Sequence, residues 1–64
     1  MSEIERILLE CRYLLSLDKT YLDIANYLKV SEKMVFNDLN YKLPKIDSIL
    51  YHKVEGKLKK LTNM

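Results

Sequence analysis

Few side chains in this sequence could carry out catalysis. His52 is the only histidine and Cys11 the only cysteine, and no helix-spaced cysteine, aspartate or second histidine accompanies His52. No glycine-rich loop could hold a phosphate, and no Ser/His/Asp or Cys/His arrangement has a plausible scaffold. A chain of 64 residues also offers little room for an enclosed pocket. We therefore expect no enzyme, no metal, no cofactor and no small-molecule ligand.

Hydrogen-bonding side chains instead recur at helical spacing between residues 33 and 41. If Val35 and Leu39 face inward, the outward face and its flanks carry polar and aromatic groups together. These groups are Lys33, Met34, Phe36, Asn37, Asn40 and Tyr41.

Such side chains can read the edges of DNA bases. Asparagine pairs bidentately with adenine, lysine donates to guanine acceptors or to phosphate, and an apolar group contacts the thymine methyl. We expect base contacts from Lys33, Phe36, Asn37, Asn40 and Tyr41. Glu32 is interpreted as an acidic residue favouring the helix dipole, or else as an acceptor from a cytosine amino group.

Two other interpretations of this face remain open. A polar outer face is often simply solvated. The proximity of Met34, Phe36 and Tyr41 instead favours a covered surface, as in a protein-interaction module that docks onto RNA polymerase, a sigma factor or a second copy of the chain. Salt separates DNA binding from apolar docking, because only the former weakens steeply as salt rises.

The elements that would position this face are two short helices within residues 20–41. Helical spacing predicts a helix from Thr20, its cap, to Leu28, and Ser31 can cap the next helix, over about residues 31–41. So short a connection makes the helices cross steeply, with Val30 filling the corner. The pattern predicts a helix-turn-helix whose second helix enters the major groove, about 12 Å wide.

Helices are predicted on both sides of this unit. Ser2 begins a helix over residues 3–17, and Asp47 caps another over residues 47–61. The first has an apolar stripe of Ile4, Ile7, Leu8, Cys11, Leu14 and Leu15, and the last one of Leu50, Val54, Leu58 and Leu61. Leu43-Pro44 should end the third helix by Lys42. The expected fold is all-α, a single domain over residues 1–64 with a three-helix core and a C-terminal fourth helix.

The net charge of +2 is small, but residues 31–64 carry seven of the 11 basic side chains. Lysines along one border of the last helix could bind phosphates, or could stabilise the helix end and cover apolar surface. The expected phosphate contacts are Thr20, Ser31, Lys42, Lys45, Lys53, Lys57 and Lys60. Gly56 should let the last turns fray when DNA is not bound.

No apolar run is long enough to cross a membrane or to form a signal peptide, and the single cysteine cannot form an internal bridge. Cys11 is expected to be a small buried hydrophobe and not a reactive thiol. The lack of such segments predicts a cytoplasmic protein. The face around residues 33–41 adds double-stranded DNA as the expected partner, and hence association with the nucleoid, with RNA polymerase or a second copy as further candidate partners.

The segment TYLDIANYLKVSEKMVFNDLNYKLPKI resembles the helix-turn-helix of the stage III sporulation protein D family of bacterial transcriptional regulators. The matching landmarks are Thr20, Ile24-Ala25, Val30-Ser31, Val35, Asp38-Leu39, Leu43-Pro44 and Ile46. The resemblance implies a sequence-specific transcription factor of spore-forming bacteria, with Lys33, Phe36 and Asn37 at base-facing positions. Because Glu32, Phe36 and Asn37 stand where Lys, His and Lys are expected, weaker electrostatic affinity for DNA is also expected.

Overall fold

The computed structural model describes residues 1–62, which form an all-α fold without a strand in that range. The elements are α1 (Glu3–Leu17), α2 (Tyr21–Leu28), α3 (Glu32–Asn37), a π-helical turn (Asp38–Lys42), α4 (Leu43–Ile46) and α5 (Ser48–Thr62). The predicted fold class is confirmed. None of the helices in residues 1–62 combines the length and apolar character needed to cross a membrane.

Side-chain caps fix the starts of four helices, and one of these caps is Thr20, whose Oγ1 accepts from the Asp23 N–H at 3.2 Å. The side chains of Ser2, Ser31 and Asp47 each accept a hydrogen bond from the backbone N–H three residues later, at 3.2, 3.0 and 3.0 Å. Each cap satisfies a backbone donor that the first helical turn would otherwise leave unpaired. These predicted helix starts are confirmed.

The turn between α2 and α3 depends on a left-handed residue. Lys29 has φ 57° and ψ 44°, and both its N–H and that of Val30 donate to the carbonyl oxygen of Ala25. This arrangement closes α2 in the space of two residues, although a lysine there is more strained than a glycine. Val30 packs against the core, as predicted for the corner of the motif.

The core gathers residues from every helix. Val35 and Leu39 are fully buried, which confirms the predicted rotation of the third helix. The remaining buried apolar residues are Ile7, Cys11, Leu14, Ile24, Ala25, Leu43, Val54 and Leu58. Burial raises the pKa of the Cys11 thiol to about 12, so this cysteine is an unreactive core residue, as expected.

The predicted inward stripe of α1 is only half right. Ile4, Leu8 and Leu15 are 53%, 44% and 38% exposed. Two helical stripes cross at Cys11, one through Leu8 and Leu15 and the other through Ile7 and Leu14. The rest of the fold covers the second stripe and leaves the first outside.

The third helix does not end at Lys42, and that prediction is wrong. Leu43 is helical, with φ −56° and ψ −44°, and its N–H donates to the carbonyl oxygen of Asp38 in the wider π-helical pattern. Pro44 lies in the first turn of the following α4, where its missing N–H costs little. Full burial of Leu43 offsets the resistance of a pre-proline residue to helical geometry.

Candidate nucleic-acid interface

One shallow depression on the surface of α3 brings several predicted DNA-contacting residues together. It is lined by Ser31, Lys33, Met34, Asn37, Asp38 and Lys42. The Ser31 hydroxyl oxygen accepts from the Met34 N–H, which leaves its O–H available as a donor. Lys33 is exposed and Asn37 is half-buried. The depression therefore presents hydroxyl, ammonium and amide donors on one side of α3.

Lys42 reaches this depression as a member of an ion pair. Its Nζ lies 2.7 Å from Glu3 Oε1 and 3.6 Å from Asp38 Oδ1. The hydrogen bond to Glu3 raises the pKa of Lys42, so the ammonium is charged at neutral pH. A phosphate could bind this lysine by displacing Glu3, whose carboxylate is exposed.

The aromatic residues beside α3 pack largely on one another. The Phe36 ring centroid lies 5.3 Å from that of Tyr21 and 6.1 Å from that of Tyr41, in tilted and edge-on arrangements. Phe36 is half-buried, whereas Tyr41 is 62% exposed and Met34 is 39% exposed. Tyr21 thus covers part of the apolar surface of Phe36, which the protein-interaction interpretation assigns to a docking partner.

Asn40 does not face outward as expected. Its Nδ2 donates to the Tyr21 hydroxyl at 2.9 Å and to the carbonyl oxygen of Phe36 at 3.0 Å. This half-buried amide joins the π-helical turn to α2 and fixes the aromatic cluster. Its two donor hydrogens are therefore engaged within the fold, since an asparagine amide has only two.

Thr20 forms a capping box with Asp23 at the start of α2. Its N–H and its hydroxyl both donate to Asp23 Oδ2, at 3.3 and 3.0 Å, and its Oγ1 accepts from the Asp23 N–H at 3.2 Å. A phosphate contact at Thr20, which stays a prediction, would have to displace the Asp23 carboxylate from both donors. The Asp23 charge also repels phosphate at this helix terminus.

Lys57 closes the end of α1. Its Nζ donates to the carbonyl oxygens of Leu14 and Leu15, at 3.2 and 3.5 Å, and to Asp18 Oδ1 at 3.2 Å. A cation on the last carbonyls of a helix is favourable, and here it also holds the left-handed Asp18. Lys57 thus has a structural role within the fold, and its phosphate contact stays a prediction.

The other predicted phosphate-binding lysines lie on the surface. Lys45, Lys53 and Lys60 are all exposed. Lys60 lines a second depression together with Lys19 and Asp18, close to the start of α2. Of the predicted phosphate-binding lysines in the described part of the chain, Lys42 lines the α3 depression, whereas Lys45, Lys53 and Lys60 lie outside it.

A buried charged cluster beneath α3 was missed by the sequence analysis. Arg6 donates two hydrogen bonds to Asp38, while Glu10 and Asp38 are both fully buried. Burial, and then the neighbouring Asp38, raise the pKa of Glu10 to about 9. Burial opposes ionisation of Asp38, but the Arg6 hydrogen bond, the neighbouring Glu10 and the charges of Arg6 and Lys42 together outweigh it, so the Asp38 pKa is lowered.

Glu10 is therefore neutral at pH 7, with Asp38 charged beside it. The O–H of protonated Glu10 can donate to Asp38, an interaction that raises the pKa of Glu10 and lowers that of Asp38. The position of Glu10 three residues after Ile7 and four before Leu14 is the one sequence signal that places it inside.

The reactive side chains remain scattered. Across residues 1–62 no three histidine, cysteine, aspartate or glutamate side chains come together in a way that could hold a metal ion. His52 lies beside two residues of its own helix: its Nδ1 is 3.1 Å from Glu55 Oε2, and its ring centroid is 6.0 Å from that of Tyr51.

No protein-family model, no curated protein and no solved structure matches this chain.

Proposed function

We propose that this protein is a sequence-specific DNA-binding transcriptional regulator that inserts α3 and the π-helical turn into the major groove. The observation that carries the proposal is the α3 depression, where Ser31, Lys33, Asn37 and Lys42 meet on a helix whose other side is buried at Val35. A tight connection from α2 holds this helix at the surface. The proposal includes a bacterial, nucleoid-associated regulator similar to the stage III sporulation protein D family.

Base reading is assigned to the outer side of this segment. The Asn37 amide can pair with adenine, the Lys33 ammonium can donate to guanine, and the Tyr41 hydroxyl can donate or accept. The half-buried Phe36 side chain can contact a thymine methyl. Asn40 acts indirectly, because it fixes Tyr21 against Phe36.

Phosphate binding is assigned to groups around the groove-facing segment. The Ser31 hydroxyl and Lys42 flank the α3 depression, and Lys45, Lys53 and Lys60 add exposed ammonium groups. Each phosphate contact should steepen the salt dependence, with a slope near −0.9 in log K against log salt. A net charge of only +2 predicts modest non-specific affinity.

Selection of binding sites from random DNA duplexes, repeated at two salt concentrations, tests the proposal. One motif should be enriched at both concentrations, and affinity for it should fall as salt rises. Lys33→Ala should weaken binding, whereas Lys59→Ala, which removes an ammonium paired with Glu55 on α5, should leave the motif unchanged. Enrichment of no motif would exclude sequence-specific DNA binding.

A protein-interaction module is the second candidate function, and the exposure of Tyr41 and Met34 favours it. Apolar docking through these side chains and Phe36 should respond little to salt. Tyr41→Ser would then abolish association with a protein partner and would leave the weak attraction to any duplex unaltered. Selection of one DNA motif, with binding that is weakened by Lys33→Ala, would decide against the protein-interaction module.

A further inference from the structure

The outward side of α1 carries apolar residues that the other described helices leave partly exposed. Ile4, Leu8 and Leu15 are exposed along it, although the sequence pattern made them candidates for the core. Two adjoining shallow depressions run along this side and share Leu9 and Arg12. One is lined by Glu5, Leu8, Leu9 and Arg12, and the other by Leu9, Arg12, Tyr13, Ser16 and Leu17.

Two opposite charges lie on this same face. Glu5 and Arg12 are seven residues apart, so they project from the same side of the helix, about 10.5 Å apart along its axis. Both are exposed, and among residues 1–62 neither belongs to an ion pair. The Glu5 carboxylate accepts a hydrogen bond from the Ser2 hydroxyl at 3.1 Å.

We propose that this face binds a second copy of the chain, with the two α1 helices antiparallel about a two-fold axis between Leu8 and Leu9. Residues whose numbers sum to 17 then face each other. Glu5 of each chain meets Arg12 of the other, which forms two intermolecular ion pairs. Leu8 and Leu9 of the two chains meet at the axis between these pairs.

A second copy fits this face because the face is complementary to itself. A two-fold interface uses the same patch on both subunits, so each charge must find its opposite at the symmetry-related position. Glu5 and Arg12 meet that condition around a centre that is apolar. The face carries one acidic and one basic side chain, so it has no net charge to attract an anionic membrane or a nucleic acid.

The dimer should be weak and reversible. Each chain contributes a single 15-residue helix, which is a smaller contact than the standard interface of about 800 Å² per partner. The surface is separate from the α3 depression and does not depend on the DNA-binding proposal. Association and DNA binding can therefore be measured independently on the same full chain.

Sedimentation equilibrium of the full chain, from micromolar to millimolar concentration, tests this proposal. The unaltered protein should show a monomer–dimer equilibrium. Glu5→Arg and Arg12→Glu should each raise the dissociation constant by about tenfold or more, because each places like charges opposite one another. Glu32→Arg is the matched control, because it reverses the charge of an exposed residue on α3, away from the proposed interface. This variant should associate like the unaltered chain.

Mixing the two single variants gives the decisive result. In a heterodimer of Glu5→Arg with Arg12→Glu both facing pairs are again opposite in charge, so association should return to the unaltered level. The double variant Glu5→Arg/Arg12→Glu should also dimerise. Far-UV circular dichroism verifies that every variant keeps its helicity. A monomeric unaltered chain, or no recovery in the mixture, would overturn the proposed pairing.

Discussion

The Arg6 guanidinium holds the Asp38 carboxylate through two hydrogen bonds, from Nε to Oδ2 at 2.9 Å and from Nη2 to Oδ1 at 3.1 Å. Asp38 is fully buried and begins the π-helical turn, so this pair joins α1 to the segment that continues α3. A bidentate pair, in which two guanidinium N–H groups donate to the two carboxylate oxygens, lets a buried carboxylate remain charged. The orientation of α3 thus depends on a residue near the start of the chain.

Removal of the guanidinium should be strongly destabilising. Arg6→Ala removes both hydrogen bonds to the buried charge of Asp38 and leaves it the Lys42 ammonium at 3.6 Å, so we expect a loss of about 3 kcal/mol in the free energy of unfolding. Urea denaturation followed by circular dichroism measures it. Arg12→Ala is the matched control, since Arg12 lies on the exposed side of α1 and should change the value by less than about 0.5 kcal/mol at low protein concentration.

Glu10 should make the fold less stable in alkali. Its pKa is about 9 in the folded protein and near 4.5 in the unfolded chain, so the folded state retains a proton that the unfolded state releases. The stabilisation from this group is complete below pH 4.5. It is lost progressively as the pH rises from 4.5 to about 9.

Glu10→Gln should flatten this dependence, because the amide cannot ionise. Denaturant midpoints measured at a series of pH values will compare the two proteins, and the variant should be the more stable one at about pH 8. Parallel pH profiles for both would show that Glu10 ionises in the folded state as it does in water. Asp38 acts in the opposite direction, because its lowered pKa removes stability only in acid.

Lys57 should affect folding more than DNA binding. Lys57→Ala removes the cation from the C-terminal carbonyls of α1 and from Asp18, and we expect a loss of about 1 kcal/mol after allowance for its partial exposure. Thermal unfolding measures it, with exposed Lys53→Ala as the control that changes stability little. An unchanged melting temperature for Lys57→Ala would contradict the capping role.

Gly56 should be replaceable by alanine with a gain in stability. It lies inside α5, and a Cβ added there would meet nothing within 4 Å beyond its chain neighbours and the adjacent backbone of its own helix. Gly56→Ala should therefore raise the free energy of unfolding by about 1 kcal/mol, because alanine loses less backbone entropy in a helix. Chemical denaturation checks the change, and a decrease would indicate that α5 requires the flexibility of glycine.

The two asparagines of the proposed DNA-binding segment should behave differently. Asn37→Ala should cost about 1 to 3 kcal/mol on the preferred site and relax discrimination there. Asn40→Ala should instead lower folding stability by about 1 kcal/mol, because it removes the hydrogen bond to Tyr21. Fluorescence anisotropy with matched and altered duplexes separates the effects, and equal loss on every sequence for Asn37→Ala would exclude base reading.

Local rules predicted the helix starts and the inward face of α3. The caps at Ser2, Ser31 and Asp47 depend on contacts only three residues long, which the sequence displays directly. Val35 and Leu39 set the rotation of α3 because few other apolar residues compete for that side. The inward face of α1 could not be predicted in the same way, because Ile7 and Leu14 have the same spacing as Leu8 and Leu15. Packing against the other helices decides which of the two pairs is buried.

Features that depend on distant residues could not be predicted. Lys57 binds carbonyl groups more than forty residues away in the chain, and Asn40 is paired to Tyr21 from a different helix. The rule that a residue before proline leaves the helix failed at Leu43, because burial in the core outweighed the local preference. Orientation within the candidate interface is therefore set by tertiary contacts and not by residue type.

The π-helical turn amounts to one residue inserted into an α-helix, since the Leu43 N–H reaches back five positions to Asp38. Deletion of a residue from this turn would rotate everything after it by about 100° and shift it by about 1.5 Å relative to α3. Leu43 would leave the core, and α5 would lose its register with α1. The number of residues in this segment is thus more tightly constrained than the identity of its exposed side chains, and changes in length should be tolerated less than substitutions.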